Sequence, residues 1–128
     1  MPFARSTKQR ELVLKALQEA NRPLSPQEVL DLAKKHLPGI GIATVYRNIK
    51  SLLEDQILSL VDLPGNAPRY EICGKHHHHH FLCLDCDKVY ELDGCPGDIN
   101  QLVPRGFKIQ DHNITFTGKC RDCARSIC

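Results

Sequence analysis

Two cysteine pairs, Cys83-x-x-Cys86 and Cys120-x-x-Cys123, stand 33 residues apart in this chain, and five consecutive histidines, His76 to His80, precede the first pair. Two C-x-x-C knuckles in one small chain form a closed four-thiolate set that wraps one tetrahedral zinc ion at about 2.3 Å per bond. A thioredoxin-like redox pair needs one such motif opening a helix. Here there are two, set among strand-forming residues such as FLCLDCDKVYEL. Zinc is therefore the expected structural ion. The histidines supply a different chemistry. In an extended run, alternate side chains face opposite ways. His76, His78 and His80 then share one face and His77 and His79 the other, so one segment can feed two metal sites. Imidazole suits zinc, iron, copper and nickel alike, and the histidines alone do not name the ion. Purification tags sit at termini, whereas this run joins two structured segments. No Ser–His–Asp pattern, phosphate loop or nucleotide fingerprint occurs, and no acid/base pair accompanies the histidines, so an enzyme is not expected.

Elements must position these ligands. The chain has 128 residues, no Trp and 5% aromatics, so its core must be built from Leu, Ile and Val. No apolar run approaches the roughly 20 residues of a membrane span, and the start MPFARSTKQR lacks an apolar signal core. A cytoplasmic protein with no membrane partner is expected, where C-x-x-C pairs bind metal more often than they cross-link. Residues 1–50 hold nine Lys/Arg against four Asp/Glu, and residues 51–128 hold eight against eleven. A basic front half suits an anionic partner such as nucleic acid. An ordinary solvated helical surface would show the same balance, and charge does not separate the two.

The front half reads as three helices and a hairpin. Ser6 and Gln9 fit a capping box ahead of Val13, Ala16, Leu17 and Ala20. Ser25-Pro26-Gln27-Glu28 opens a second helix, with Val29, Leu30, Ala33 and Leu37 on its apolar face and Pro38-Gly39 at its end. A third, IATVYRNIKSLLEDQ, buries Val45, Ile49, Leu52 and Leu53. Thr44, Arg47, Asn48 and Ser51 point away, with Tyr46 and Lys50 at the margins. Those groups can bond phosphates and base edges. Extended runs at Ile57–Leu63 and Arg69–Ile72 flank the turn-rich Pro64–Pro68. Three helices and a hairpin make a winged helix-turn-helix whose third helix would enter the major groove.

The back half is a strand unit loaded with ligands. A short helix is expected within Cys95–Val103, and one or two strands within Phe107–Thr117. The unit is too small to bury much core, so metal–thiolate bonds would take its place. Cys95, Cys128 and His36 acquire no role, and His36 reads as a surface side chain.

The combination of STKQRELVLKAL, IATVYRNIKSL, HHHHHFLCLDC and GKCRDC resembles the ferric uptake regulator family of metal-dependent bacterial repressors, over nearly the whole chain. The resemblance implies an α+β fold: a winged-helix domain over residues 1–73, a hinge and metal-ligand segment over 74–80, and an α/β dimerisation and structural-zinc domain over 81–128. It implies a homodimer on palindromic double-stranded operator DNA, with metal as corepressor. By position, Cys83, Cys86, Cys120 and Cys123 match the structural zinc ligands. Lys8, Thr44, Tyr46, Arg47 and Lys50 fall to the DNA. His78 and His80 match the sensing site, and His77, His79, Asp98 and His112 match a further site seen in several members.

The sensed ion follows from two departures. Iron- and peroxide-sensing members usually carry a His where this chain has Pro23. Zinc-sensing members commonly carry a Cys where this chain has Cys73. A thiolate with two imidazoles favours zinc over Fe(II). The sensor set is then Cys73, His78 and His80, with Glu71 as fourth ligand and Glu91 as an alternative. Ser59 stands where zinc members often have an Asp, and Asp62 faces the other way on a regular strand. Zinc control of zinc uptake genes is the expected function. An iron-responsive repressor and a zinc carrier without DNA activity are the alternatives.

Overall fold

The computed structural model describes residues 2–63 and 65–125, with side chains from residue 8 onward. The chain divides into two compact units, Met1–Lys75 and His76–Cys128.

In the first unit, helices α1 (Pro2–Ala20), α2 (Pro26–Ala33) and α3 (Ile42–Glu54) precede a hairpin of β1 (Leu58–Val61) and β2 (Arg69–Ile72). The i, i+3, i+4 spacing of apolar residues turns one face of each helix inward. Val13, Ala16 and Leu17 of α1, Val29, Leu30 and Ala33 of α2, and Val45, Ile49 and Leu52 of α3 close on Leu24, Ile40 and Leu58. Burial of such side chains stabilises by about 1.5–3 kcal/mol each, so this unit has a core of its own. Helix α2 starts where its sequence signal lies. Ser25 Oγ accepts from the Glu28 amide at 3.2 Å, and Glu28 Oε1 accepts from the Ser25 amide at 3.0 Å. Helix α1 begins at Pro2, so Ser6 lies inside it and the expected capping box does not mark its start. Helix α2 gives way at its Lys34 cap, before Pro38-Gly39.

The hairpin is antiparallel, with Leu58 opposite Ile72 and Ser59 opposite Glu71. It is tied back to the helices by the reciprocal amide–carbonyl bonds of Leu24 and Tyr70, both 2.9 Å. Glu28 accepts from Arg22 at 2.8 Å and lies 3.9 Å from the buried Arg69 guanidinium. The fixed base of the wing therefore depends on a charged cluster at the start of α2.

The second unit is a three-stranded sheet in the order β4-β3-β5. Strand β3 (His78–Cys83) pairs antiparallel with β4 (Val89–Asp93) and parallel with β5 (Thr115–Gly118). A 3-10 turn at Ile99–Leu102 and a short helix α4 (Arg121–Arg125) complete it. Its buried apolar side chains among the described residues are Leu82, Cys83 and Val89. No described helix is long and apolar enough to cross a membrane.

Candidate metal centres and the nucleic-acid face

Strand β3 runs directly into the first knuckle, and α4 carries the second. Cys83, Cys86, Cys120 and Cys123 converge with all four sulfurs within 4.8 Å of one another. Asp87, at φ 63°, reverses the chain after the first pair. The turn aims the Cys86 amide at Cys83 Sγ (3.4 Å), and the Cys120 amide reaches the same sulfur, also at 3.4 Å. Those two N–H groups pull the Cys83 thiol down to about 6. The Cys123 thiol moves the other way. Its hydrogen bonds with the Cys83 and then the Cys120 sulfurs push it up to about 12. One sulfur is thus a thiolate near neutrality, and a neighbour holds its proton until a cation displaces it. The described cysteines are free thiols. Four converging sulfurs with amide donors fit a tetrahedral four-thiolate zinc site.

The histidine run divides as alternation requires. Strand β3 starts at His78, so His78 and His80 share one face with ring centroids 4.9 Å apart. Glu91 lies opposite His80 in the β3–β4 register, and its Oε1 is 3.4 Å from His78 Nε2. His78 Nδ1 is 2.8 Å from the His76 carbonyl. A carbonyl only accepts, so the Nδ1 proton is placed there and Nε2 faces the Glu91 carboxylate. His76 itself turns outward toward Asp93 and is exposed. Glu71 and Cys73 belong to the first unit. Glu71 is buried on β2, opposite Ser59 of β1. Cys73 follows the strand, its amide donating to the Ile57 carbonyl at 2.9 Å.

On the other face, His79 is buried, and burial followed by the His77 and His112 imidazoles holds it below the usual imidazole value. Both causes favour the neutral ring. His77, His79 and His112 come together as expected, but the fourth member of the group is Cys95. Asp98 is exposed at the start of the 3-10 turn and is not part of the group. The physical reason is chain length. Cys95 lies two residues past the end of β4, within reach of the sheet edge, whereas Asp98 has already turned into the next element. The signal for Cys95 was a thiol outside both knuckles, close behind a ligand-bearing sheet.

The exposed side of α3 presents Tyr46, Arg47 and Lys50. Arg47 donates to Thr44 Oγ1 at 3.1 Å, which pre-sets the guanidinium along the helix surface. Lys8 of α1 is also exposed. Ser51, read from the sequence as part of this face, instead accepts from Arg10 Nη1, while Arg10 Nη2 bonds Asp55 at 2.6 Å. That pair anchors α1 to the end of α3.

Comparison with known proteins agrees with this arrangement. The model of the ferric uptake regulator family matches residues 3–117. The ferric uptake regulation protein of Bacillus subtilis (strain 168) is 35% identical over 124 residues, covering 91% of this chain and 83% of the relative. The structure of the Helicobacter pylori ferric uptake regulator, described as revealing three functional metal binding sites, superposes with a TM-score of 0.71 at 30% identity, covering 93% of this chain and 81% of the other. FurB from M. tuberculosis, a zinc uptake regulator, superposes with a TM-score of 0.52 at 28% identity, over 94% of this chain and 95% of the other.

Proposed function

This chain belongs to the ferric uptake regulator family of metal-responsive transcriptional regulators, and from that premise we propose that it is a dimeric repressor of zinc uptake genes, with zinc as the ion that permits operator binding. The observation that carries the sensing role is the His78–His80–Glu91 face. His78 Nε2 and Glu91 Oε1 lie 3.4 Å apart, and an ion held between an imidazole nitrogen and a carboxylate oxygen would be bound by both. This set differs in kind from the four-cysteine centre. It is an imidazole–carboxylate site able to exchange its ion, beside a closed thiolate site that keeps one. The full sensor set we assign is Glu71, Cys73, His78 and His80, with Glu91 in support.

Zinc over iron rests on ligand softness. Cys73 offers a thiolate, and Pro23, which has no donor, stands where iron-sensing members carry a histidine. The iron reading has its own support in the carboxylates Glu71 and Glu91 and in the names of the curated relatives. Dimerisation is supported by the apolar side chains that the second unit leaves in water: Leu84, Leu102, Phe107 and Phe116 are 50–84% exposed. Covering them against a second copy would remove that cost. The outward face of α3, with Tyr46, Arg47 and Lys50, and Lys8 on α1 are the groups we assign to DNA.

The test is a mobility-shift assay on double-stranded DNA selected from a random pool by the zinc-loaded protein, repeated with Zn²⁺, Mn²⁺, anaerobic Fe²⁺ and a chelator. Zinc is expected to restore binding at the lowest free concentration. Restoration by Fe²⁺ alone would transfer the assignment to iron, and no shift under any ion would leave a metal carrier. In the same assay Arg47→Ala is expected to weaken binding roughly tenfold or more, since one good base-edge contact contributes about 1–3 kcal/mol. Unchanged affinity at matched salt would move recognition off α3.

A further inference from the structure

We propose that Cys95, and not Asp98, completes the further metal site, and that with His77 and His112 as fellow ligands and His79 beside them it makes a thiolate–imidazole site on the opposite side of β3 from His78 and His80. The site stands on its own ligands and does not depend on which ion the chain senses. Cys95 Sγ is 3.2 Å from His112 Nε2 and 3.1 Å from His79 Nε2, and His112 Nε2 is 3.0 Å from His77 Nε2. The three imidazole rings pack at centroid separations of 4.5–5.0 Å. Nitrogens and a sulfur at such spacings surround a point about 2.0–2.3 Å from each, the bond lengths of zinc to imidazole and thiolate. Two ring nitrogens 3.0 Å apart share one proton when no ion is present, and an ion takes that proton's place.

Ring tautomers rank the ligands. The Ile114 amide is directed at His79 Nδ1 at 3.2 Å, so the proton of that neutral ring sits on Nε2 and points at Cys95 Sγ. His79 therefore supports the thiolate as a donor, and it becomes a ligand itself only if the Ile114 bond is released. Cys95, His77 and His112 need no such change and form the minimal set. They come from three segments: the approach to β3, the loop after β4, and the loop before β5. An ion held by them ties the open side of the sheet together. The ligand chemistry selects the ion. A thiolate with imidazoles takes zinc, cobalt(II) or copper and disfavours manganese and magnesium, which a carboxylate at Asp98 would have accommodated.

The experiment uses Co²⁺ as the probe in full-length dimer whose four-cysteine centre is already filled with zinc, in a Cys73→Ser background so that the sensor thiol is silent. Bound cobalt per chain and the near-ultraviolet thiolate-to-cobalt charge-transfer band are read together. The band is expected with the parent protein. It is lost in Cys95→Ser, where cobalt affinity falls roughly tenfold or more, and it persists in Asp98→Asn. An unchanged band in Cys95→Ser would overturn the proposal, as would loss of the ion in Asp98→Asn with Cys95→Ser unaffected. Should Cys95→Ser fail to fold, iodoacetamide labelling decides. Added Zn²⁺ is expected to slow alkylation of Cys95 in the unmutated chain, and equal labelling with and without zinc would sink the assignment.

Discussion

Cys83→Ser is expected to strip the chain of one tightly held zinc and to unfold the second unit while the first remains folded. Cys83 is buried and accepts from two amides, Cys86 and Cys120, on the two knuckles it joins. It organises the centre before any ion arrives. Serine keeps the position and loses the thiolate. The unit has little else to hold it. Apart from Cys83, its buried apolar side chains among the described residues are Leu82 and Val89. Ordering a backbone residue costs about 1–2 kcal/mol, which two such side chains offset for only a few residues. Structural zinc in small domains contributes apparent folding free energies of about 10–16 kcal/mol, enough to decide the matter. Metal analysis should show one zinc fewer per chain. Hydrogen exchange should find α1 to α3 still protected while β3 to β5 exchange freely. A dimeric variant with protected β3 and no tightly bound zinc would contradict this account of the fold. The sign of the pH effect follows from the two shifted thiols. Cys83 ionises near pH 6 and Cys123 resists ionisation up to about 12, so zinc must displace protons when it binds. Zinc binding therefore strengthens as pH rises and weakens in acid, most steeply below about 6, where Cys83 too must give up a proton.

Local signals were legible in the sequence, and long-range closure was less so. The Ser25 cap, the Val45–Ile49–Leu52 stripe and the β1–β2 hairpin each depend on residues within a few positions of one another, and the structure has them where their spacing indicates. The alternation of the histidines was legible for the same reason, since it needs only that the segment be extended. Ser51 shows the limit. Its place on an outward helix face was readable, but its bond to Arg10, 41 residues earlier, depends on how α1 crosses α3. The parallel pairing of β5 with β3 likewise has no local signature. Asp98 and Cys95 are the instructive pair. Matching a motif placed the carboxylate in the further site, whereas the exit of β4 delivers the thiol three residues earlier. A loop's path, set by where its strand ends, determined which of two plausible donors arrived.

Cys73→Ser and His80→Ala are expected to abolish zinc-dependent operator binding while leaving a folded dimer with its structural zinc. Both residues are held by backbone hydrogen bonds. The Cys73 amide bonds Ile57, and the His80 amide bonds the Ile114 carbonyl at 3.1 Å. Neither side chain belongs to the core of its unit, so removing it costs little stability. Between Cys73 and His78 lie residues 74–77, beginning with Gly74 at φ +87°, a conformation that glycine adopts without strain. On the sensor assignment proposed above, an ion taken by Cys73 and the histidines would close that short segment and restrict it. A dimer reads two half-sites only when both recognition helices reach their grooves together, so restricting the segment raises the fraction of competent dimers. Moving that population from 1:99 to 99:1 requires about 5.5 kcal/mol of differential ion binding, or about 10⁴-fold. Loss of a ligand returns operator affinity toward its ion-free value, by up to that factor. Linkage demands the converse, that operator DNA tighten zinc binding in the parent protein and not in the variants. The measurements are a shift assay across free zinc and a zinc titration with and without DNA, alongside dimer mass and bound structural zinc. If both variants repress and bind like the parent, the ion that matters sits elsewhere, and residues 74–77 are a passive connector.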